Sequence, residues 1–133
     1  MANQKFHFAI HGERLAIARL APDAPLPAWA SGSFVSLTRT PAELSIVCTA
    51  RHVPEDVVQV RDKLALGIEG TVSMTAVGIM AGLCTALADA RVSVFVIATY
   101  DTDWILISVD SLDAARGALE ALGHQVSGNL PAA

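Results

Sequence analysis

Two aspartates, Asp101 and Asp103, lie in the run Thr99-Tyr100-Asp101-Thr102-Asp103-Trp104-Ile105-Leu106, between two apolar, β-branched stretches. Upstream, Thr75-Ala76-Val77-Gly78-Ile79 is a small-residue entry into a helical pattern. The two features are chemically complementary. A helix N-terminus offers unpaired N–H groups and partial positive charge to a carboxylate. A turn carrying two carboxylates offers charged acceptors to an ammonium. Together they suit a small zwitterion such as an amino acid. Each also has a purely structural reading. Aspartate favours turns because its side chain bonds its own backbone. Gly78 suits either a helix packed close against a sheet or a backbone that a ligand approaches. Thr71, Ser73 and Thr75 can serve as strand and cap residues.

Other polar residues carry less. Arg39, between Thr38 and Thr40, has the fork to bind a carboxylate bidentately, or to pair with Glu43. Trp29 and Trp104 read as core or interface anchors. His7 and His11 share one face of a strand-like stretch, but no third ligand accompanies them, so no metal is expected. No nucleophile elbow, phosphate-binding glycine loop or Cys/His spacing is present, so neither catalytic residues nor a cofactor are expected.

The elements that must position these residues follow from periodicity. Phe6, Phe8 and Ile10 alternate with polar or small residues as a half-buried strand, and His11-Gly12-Glu13 reads as a turn into a hairpin partner, Leu15 to Leu20. Residues 21–27 hold three prolines and form a loop. Phe34 to Thr38 and Leu44 to Cys48 are further strands, and Pro54-Glu55-Asp56 marks a division between two halves, residues 1–55 and 56–133. In the second half, Leu64 to Ile68 is a strand and residues 76–89 an amphipathic helix. Ser93 to Thr99, apolar on both faces, reads as a central covered strand. Asp103 to Val109 completes a hairpin. A helix over 111–122, capped by Asp110 or Ser111, ends at Gly123, and His124 to Val126 returns as a strand. The order is β-α-β-β-α-β, the ferredoxin-like α+β arrangement of an antiparallel sheet with both helices on one face.

The totals agree with a small globular protein. In 133 residues, 53 % are apolar and only 17 % charged, a lean surface that predicts burial of a face in a homodimer or larger homo-oligomer. A net charge of −4 with no basic cluster opposes nucleic acid and anionic lipid as partners. Cys48 and Cys84 lack metal spacing and read as reduced, buried thiols of a cytoplasmic chain. Residues 70–88 are uncharged but too rich in Gly, Ser and Thr for a membrane span, and no secretory signal is visible.

The order of elements and the run 99–106 resemble the ACT domains, regulatory modules that bind amino acids. The resemblance is closer to the tandem ACT-like proteins related to the eukaryotic cytosolic arginine sensors. Residues 34–45 (Phe34-Val35-Ser36-Leu37-Thr38-Arg39-Thr40-Pro41-Ala42-Glu43-Leu44-Ser45) look like their first-unit signature. Val77-Gly78-Ile79 before Leu87-Ala88-Asp89 and Val92-Ser93-Val94-Phe95 look like the second. The resemblance implies two ACT-like halves. It also implies a ligand at an interface between ACT units, touched by the loop entering the first helix and by neighbouring strand ends. Those positions are Thr75, Ala76, Val77, Gly78 and Ile79, with Thr99, Tyr100, Asp101 and Asp103. The first half lacks an obvious long helix, and the chain has one pair of units where the sensors have two. A site between pairs would therefore need a second copy. The function expected is an amino-acid-binding regulatory module without catalysis. A structural dimerisation module without ligand, or a small ferredoxin-like enzyme using Asp101 or Asp103, are the alternatives.

Overall fold

The computed structural model describes residues 4–70 and 77–133. They divide into two compact units, Met1–Gly12 with Leu64–Leu130, and Glu13–Lys63 with Pro131–Ala133. The division expected at residue 55 follows chain order. Packing instead places the first strand, β1 (His7–Ile10), in the unit of residues 64–130.

That larger unit is an α+β fold of the ferredoxin-like kind. Its strands are β1, the Leu64–Ile68 part of β5 (Val58–Ile68), β6 (Phe95–Ala98), β7 (Asp103–Ser108) and β8 (Gln125–Ser127). Its helices are α1 (Ile79–Asp89) and α2 (Leu112–Ala121). The lateral order is β6-β7-β5-β1-β8. β1 thus lies between β5 and β8, the first and last strands of the β-α-β-β-α-β order. It runs antiparallel to β5, with Ala9 opposite Gly67, and parallel to β8, with Phe8 opposite Val126. Two expectations are corrected here. β1 and β2 (Leu15–Leu20) do not form a hairpin, because the edges of β1 are taken by β5 and β8. Nor is the sheet wholly antiparallel, because the inserted strand meets β8 in the same direction.

Alternation decides which face is covered. Phe8, Leu64, Leu66, Ile68, Ile105, Ile107 and Val126 point to one face and close a single core with Leu83 and Leu87 of α1 and Leu112, Ala115 and Leu119 of α2. Both helices therefore lie on that face. Among the described residues β6 pairs only with β7, and its Phe95 and Val96 are 37 % and 40 % exposed, so the expectation of a central covered strand is corrected. Apolarity on both faces there reflects a strand end open to solvent. Before α2, Val109–Ser111 forms a 3-10 turn. Ser111 holds the cap position without a side-chain hydrogen bond to the helix.

The smaller unit contains β2, β3 (Ser36–Arg39), β4 (Leu44–Thr49) and the Val58–Lys63 part of β5, in the order β3-β4-β2-β5. All its strand pairs are antiparallel. A 3-10 turn at Ala50–His52 is its helical element, and no α-helix occurs among its described residues. Ala16, Ala18, Leu44, Ile46 and Cys48 form its core with Trp29 of the proline-rich loop packed against them. Among the described residues Arg39 pairs with no carboxylate, Glu43 included: its guanidinium donates to the carbonyls of Pro22 and Ala24, tying that loop to β3. Both cysteines are free, with Cys48 buried and Cys84 only partly so.

Candidate functional site

The start of α1 is shaped by one glycine. Gly78 is the N-cap and adopts φ 85°, a left-handed conformation that L side chains rarely take. A Cβ there would meet nothing within 4 Å, so conformation and not close packing calls for glycine. Among the described residues no side-chain hydrogen bond caps the helix. Gly82 N–H is the donor that closes the first turn, onto Gly78 O at 3.2 Å.

A cavity of about 190 Å³ opens beside this helix end, lined by Gly78, Ile79, Gly82 and Leu83 of α1 and its cap, Gln4, Lys5 and Phe6 before and at the start of β1, and Leu122 and His124 after α2. The α1 N-terminus and the α2 C-terminus both reach it. Lys5 Nζ donates to Leu122 O at 2.6 Å, placing an ammonium at the carbonyl end of α2, where it is favoured electrostatically. His124 Nδ1 accepts from Phe6 N–H at 3.0 Å, and its ring packs against Phe6 and edge-on against Phe8. That bond fixes the tautomer, with the ring proton on Nε2. Burial, with the Lys5 charge adding to it, holds the His124 pKa below its ordinary value. Among the described residues no acidic side chain lines the cavity.

Of the sequence-derived site residues, Gly78 and Ile79 meet in this cavity. Val77 precedes Gly78 in sequence, is not among the residues that line the cavity and is 75 % exposed. Thr75 and Ala76 lie outside the described residues. Thr99, Tyr100, Asp101 and Asp103 are elsewhere, at the β6–β7 turn, and do not line the cavity. The turn is closed by Thr99: its N–H donates to Thr102 O at 2.8 Å, and its hydroxyl both donates to Thr102 O and accepts from Thr102 N–H. Thr102 Oγ1 also donates to Ile68 O, fastening the turn to β5. The hydrogen bonds that close this turn are thus those of Thr99 and Thr102. Asp101 is exposed and Asp103 half-buried, and no hydrogen bond to either carboxylate is found among the described residues.

Sequence reasoning missed Lys5, Phe6, Leu122 and His124. Phe6 and His124 are 118 positions apart, and only the inserted position of β1 brings them together. It also missed a polar cluster in the smaller unit. Glu13 accepts from Ser33 Oγ at 2.6 Å and Thr49 Oγ1 at 3.1 Å and pairs with Arg51 at 2.8 Å. These bonds, that from Ser33 foremost, hold its carboxyl down at about 2. His7 likewise has partners, Ser127 Oγ at 2.8 Å and Glu69 at 3.8 Å.

Comparison with known proteins agrees with the larger unit's fold. Residues 60–121 match the ACT domain family, and residues 13–56 match a family of N-terminal domains. Among curated proteins, none matches. A crystal structure of an Agobacterium tumefaciens protein is 30 % identical with a TM-score of 0.89, covering 98 % of both chains. A Vibrio cholerae protein described as a possible transport protein is 21 % identical with a TM-score of 0.71, over 90 % of this chain and 91 % of that one. The ligand-free regulatory subunit of aspartate kinase from Thermus thermophilus shares the fold at 12 % identity and a TM-score of 0.63, over 86 % of this chain and 95 % of that one. The chain belongs to one family with the Agobacterium protein, and its residues 60–121 match the ACT domain family.

Proposed function

We propose that the protein is a non-catalytic regulatory module whose ACT domain binds an amino acid. The observation that carries this reading is the cavity at the start of α1, a helix that lies inside the matched ACT segment. The positive end of the α1 dipole, cationic Lys5 and a lining without acidic side chains among the described residues suit a carboxylate, and Phe6, Ile79, Leu83 and Leu122 suit an apolar body. The acidic turn is the proposed ammonium partner. Because it does not line this cavity, it would act from a second copy of the chain, in a homodimer. Regulation would then be linkage, with ligand favouring one arrangement of subunits over another. Among the described residues no helix is long and apolar enough to cross a membrane. That is compatible with the cytoplasmic location we propose.

The test is a thermal-shift screen against the twenty common amino acids. A ligand at 100 times its Kd adds about 2.7 kcal/mol to the folded state, a rise of several degrees. No rise with any of them refutes the reading. A second reading, a structural dimerisation module without ligand, is favoured by the open β6 edge with its exposed Phe95 and Val96. It predicts a dimer by light scattering whose mass and midpoint no amino acid changes.

A further inference from the structure

The Phe6 amide donates to Nδ1 of His124 at 3.0 Å, and His124 is only 8 % exposed. A neutral imidazole keeps one ring nitrogen as an acceptor, whereas in a protonated ring both nitrogens are donors. A proton on Nδ1 and the bond from Phe6 therefore exclude each other. The rings of Phe6 and Phe8 pack against the imidazole and hinder it from turning aside. Nor is an added charge met by an opposite one among the described residues. The segment before β1 brings cationic Lys5 and uncharged Gln4 to the cavity beside the ring, α1 brings Ile79, Gly82 and Leu83, and Leu122 follows α2. Lys5 Nζ is fixed on Leu122 O at 2.6 Å, which keeps its charge close. Burial first, and then that charge, hold the His124 pKa below its ordinary value. What the bond holds is a short piece of chain. Residues 4–6 precede β1 and form one wall of the α1 cavity. Phe6 O also accepts from Gln125 N–H at 2.9 Å. From His7 onward the chain is held on the β5 side as well, where Glu69 N–H donates to His7 O and His11 N–H to Ala65 O, both at 2.8 Å.

We propose that His124 is a pH-operated latch, whose protonation at Nδ1 frees residues 4–6 from the turn after α2 and opens the α1 cavity on that side. The released imidazole takes up a proton at an ordinary pH and the latched one resists it, so acid drives the release by mass action. The latch does not depend on the amino-acid reading above.

The test is amide hydrogen exchange by NMR on the full chain from about pH 8 to about pH 5, each rate taken relative to that of an unstructured amide at the same pH. Protection of the Phe6 amide is expected to fall by up to about tenfold per pH unit below about 6.5, as far as the His124 midpoint read from its imidazole resonances in the same samples. The His11 and Glu69 amides, which bond on the β5 side, are expected to keep their protection. In His124→Gln the side-chain carbonyl can accept from Phe6 N–H but takes up no proton in this range, so Phe6 protection there is expected to be level with pH. The latch is overturned if Phe6 protection in the wild type is level across the range, or if the His11 and Glu69 amides lose protection with it, which is general unfolding. A slope that persists in H124Q belongs to another group and overturns it equally. If H124Q does not fold, the wild-type imidazole decides: a His124 midpoint at or above about 6.5 overturns the latch, and one below it, with the Phe6 slope, upholds it.

Discussion

Gly67 in β5 lies under the indole of Trp104 in β7, and substituting it gives a result whose sign can be worked out. A Cβ at residue 67 would sit 2.5 Å from Trp104 Cζ3 and 2.8 Å from Cε3 and Cη2. Carbon atoms rest at roughly 3.5–4.0 Å, so Gly67→Ala requires the ring to retreat by about 1 Å. Neither partner moves freely. Gly67 is paired with Ala9, Trp104 is paired with Ile97, and the ring of His11 stands edge-on to the indole at 6.3 Å. Overpacking of this kind costs roughly 1–3 kcal/mol. Alanine recovers about 0.5–1 kcal/mol by losing less backbone entropy than glycine on folding. The clash outweighs that gain, so G67A is expected to destabilise by about 0.5–2 kcal/mol in urea titrations followed by circular dichroism. In a Trp104→Leu background the three clashing ring atoms are gone. There G67A is expected to become stabilising, by about 0.5–1 kcal/mol relative to W104L alone. Equal destabilisation in both backgrounds would refute the account of a ring seated on a glycine.

Asp101→Ala or Asp103→Ala is expected to weaken amino-acid binding by roughly 1.5–3 kcal/mol in calorimetry, with little change in melting point, because neither carboxylate supports the turn. Affinity unchanged in both variants would remove the acidic turn from the site. Glu13 has its folded pKa lowered from an ordinary 4.5 to about 2. The unfolded chain therefore takes up this proton first as pH falls. The stability that Glu13 contributes is complete above about pH 4.5 and is lost between there and about pH 2. Glu13→Gln should flatten that part of a plot of urea midpoint against pH, and an unchanged slope would refute the assignment. Burial raises the Cys48 thiol pKa, so in the native protein a thiol reagent such as Ellman's is expected to label Cys84 well before Cys48, read by peptide mass. Equal rates would mean that the smaller unit's core opens readily.

Elements whose pattern is local were legible in the sequence. β2 is found at Leu15–Leu20 as expected, and α2 follows the stripe Leu112, Ala115 and Leu119 that the sequence displays. What failed depended on partners distant in the chain. The His11-Gly12-Glu13 turn looked like a hairpin because neighbouring strands often pair, but nothing local to β1 shows that residues 66–68 and 125–127 claim its edges. Phe95 to Ala98 is apolar whichever way it faces, and composition does not say whether a neighbour covers it. In the site, Gly78 stood out as a glycine at a helix entry, but the sequence suggested close packing or ligand approach and did not show the left-handed cap it forms. His124 did not stand out, because a lone histidine after a glycine carries no sign of the Phe6 amide that orients it.

The inserted position of β1 also has a consequence in time. The Phe6 amide emerges 118 residues ahead of the imidazole that accepts from it. At roughly 5–20 residues per second of synthesis, the leading strand waits about 6–24 s for its last neighbour. Meanwhile residues 13–63 can close their own antiparallel pairs. The first dozen residues are thus the opening of the chain and the closing piece of its larger unit. Supplied as a separate peptide, they should be able to complete a chain that begins at Glu13.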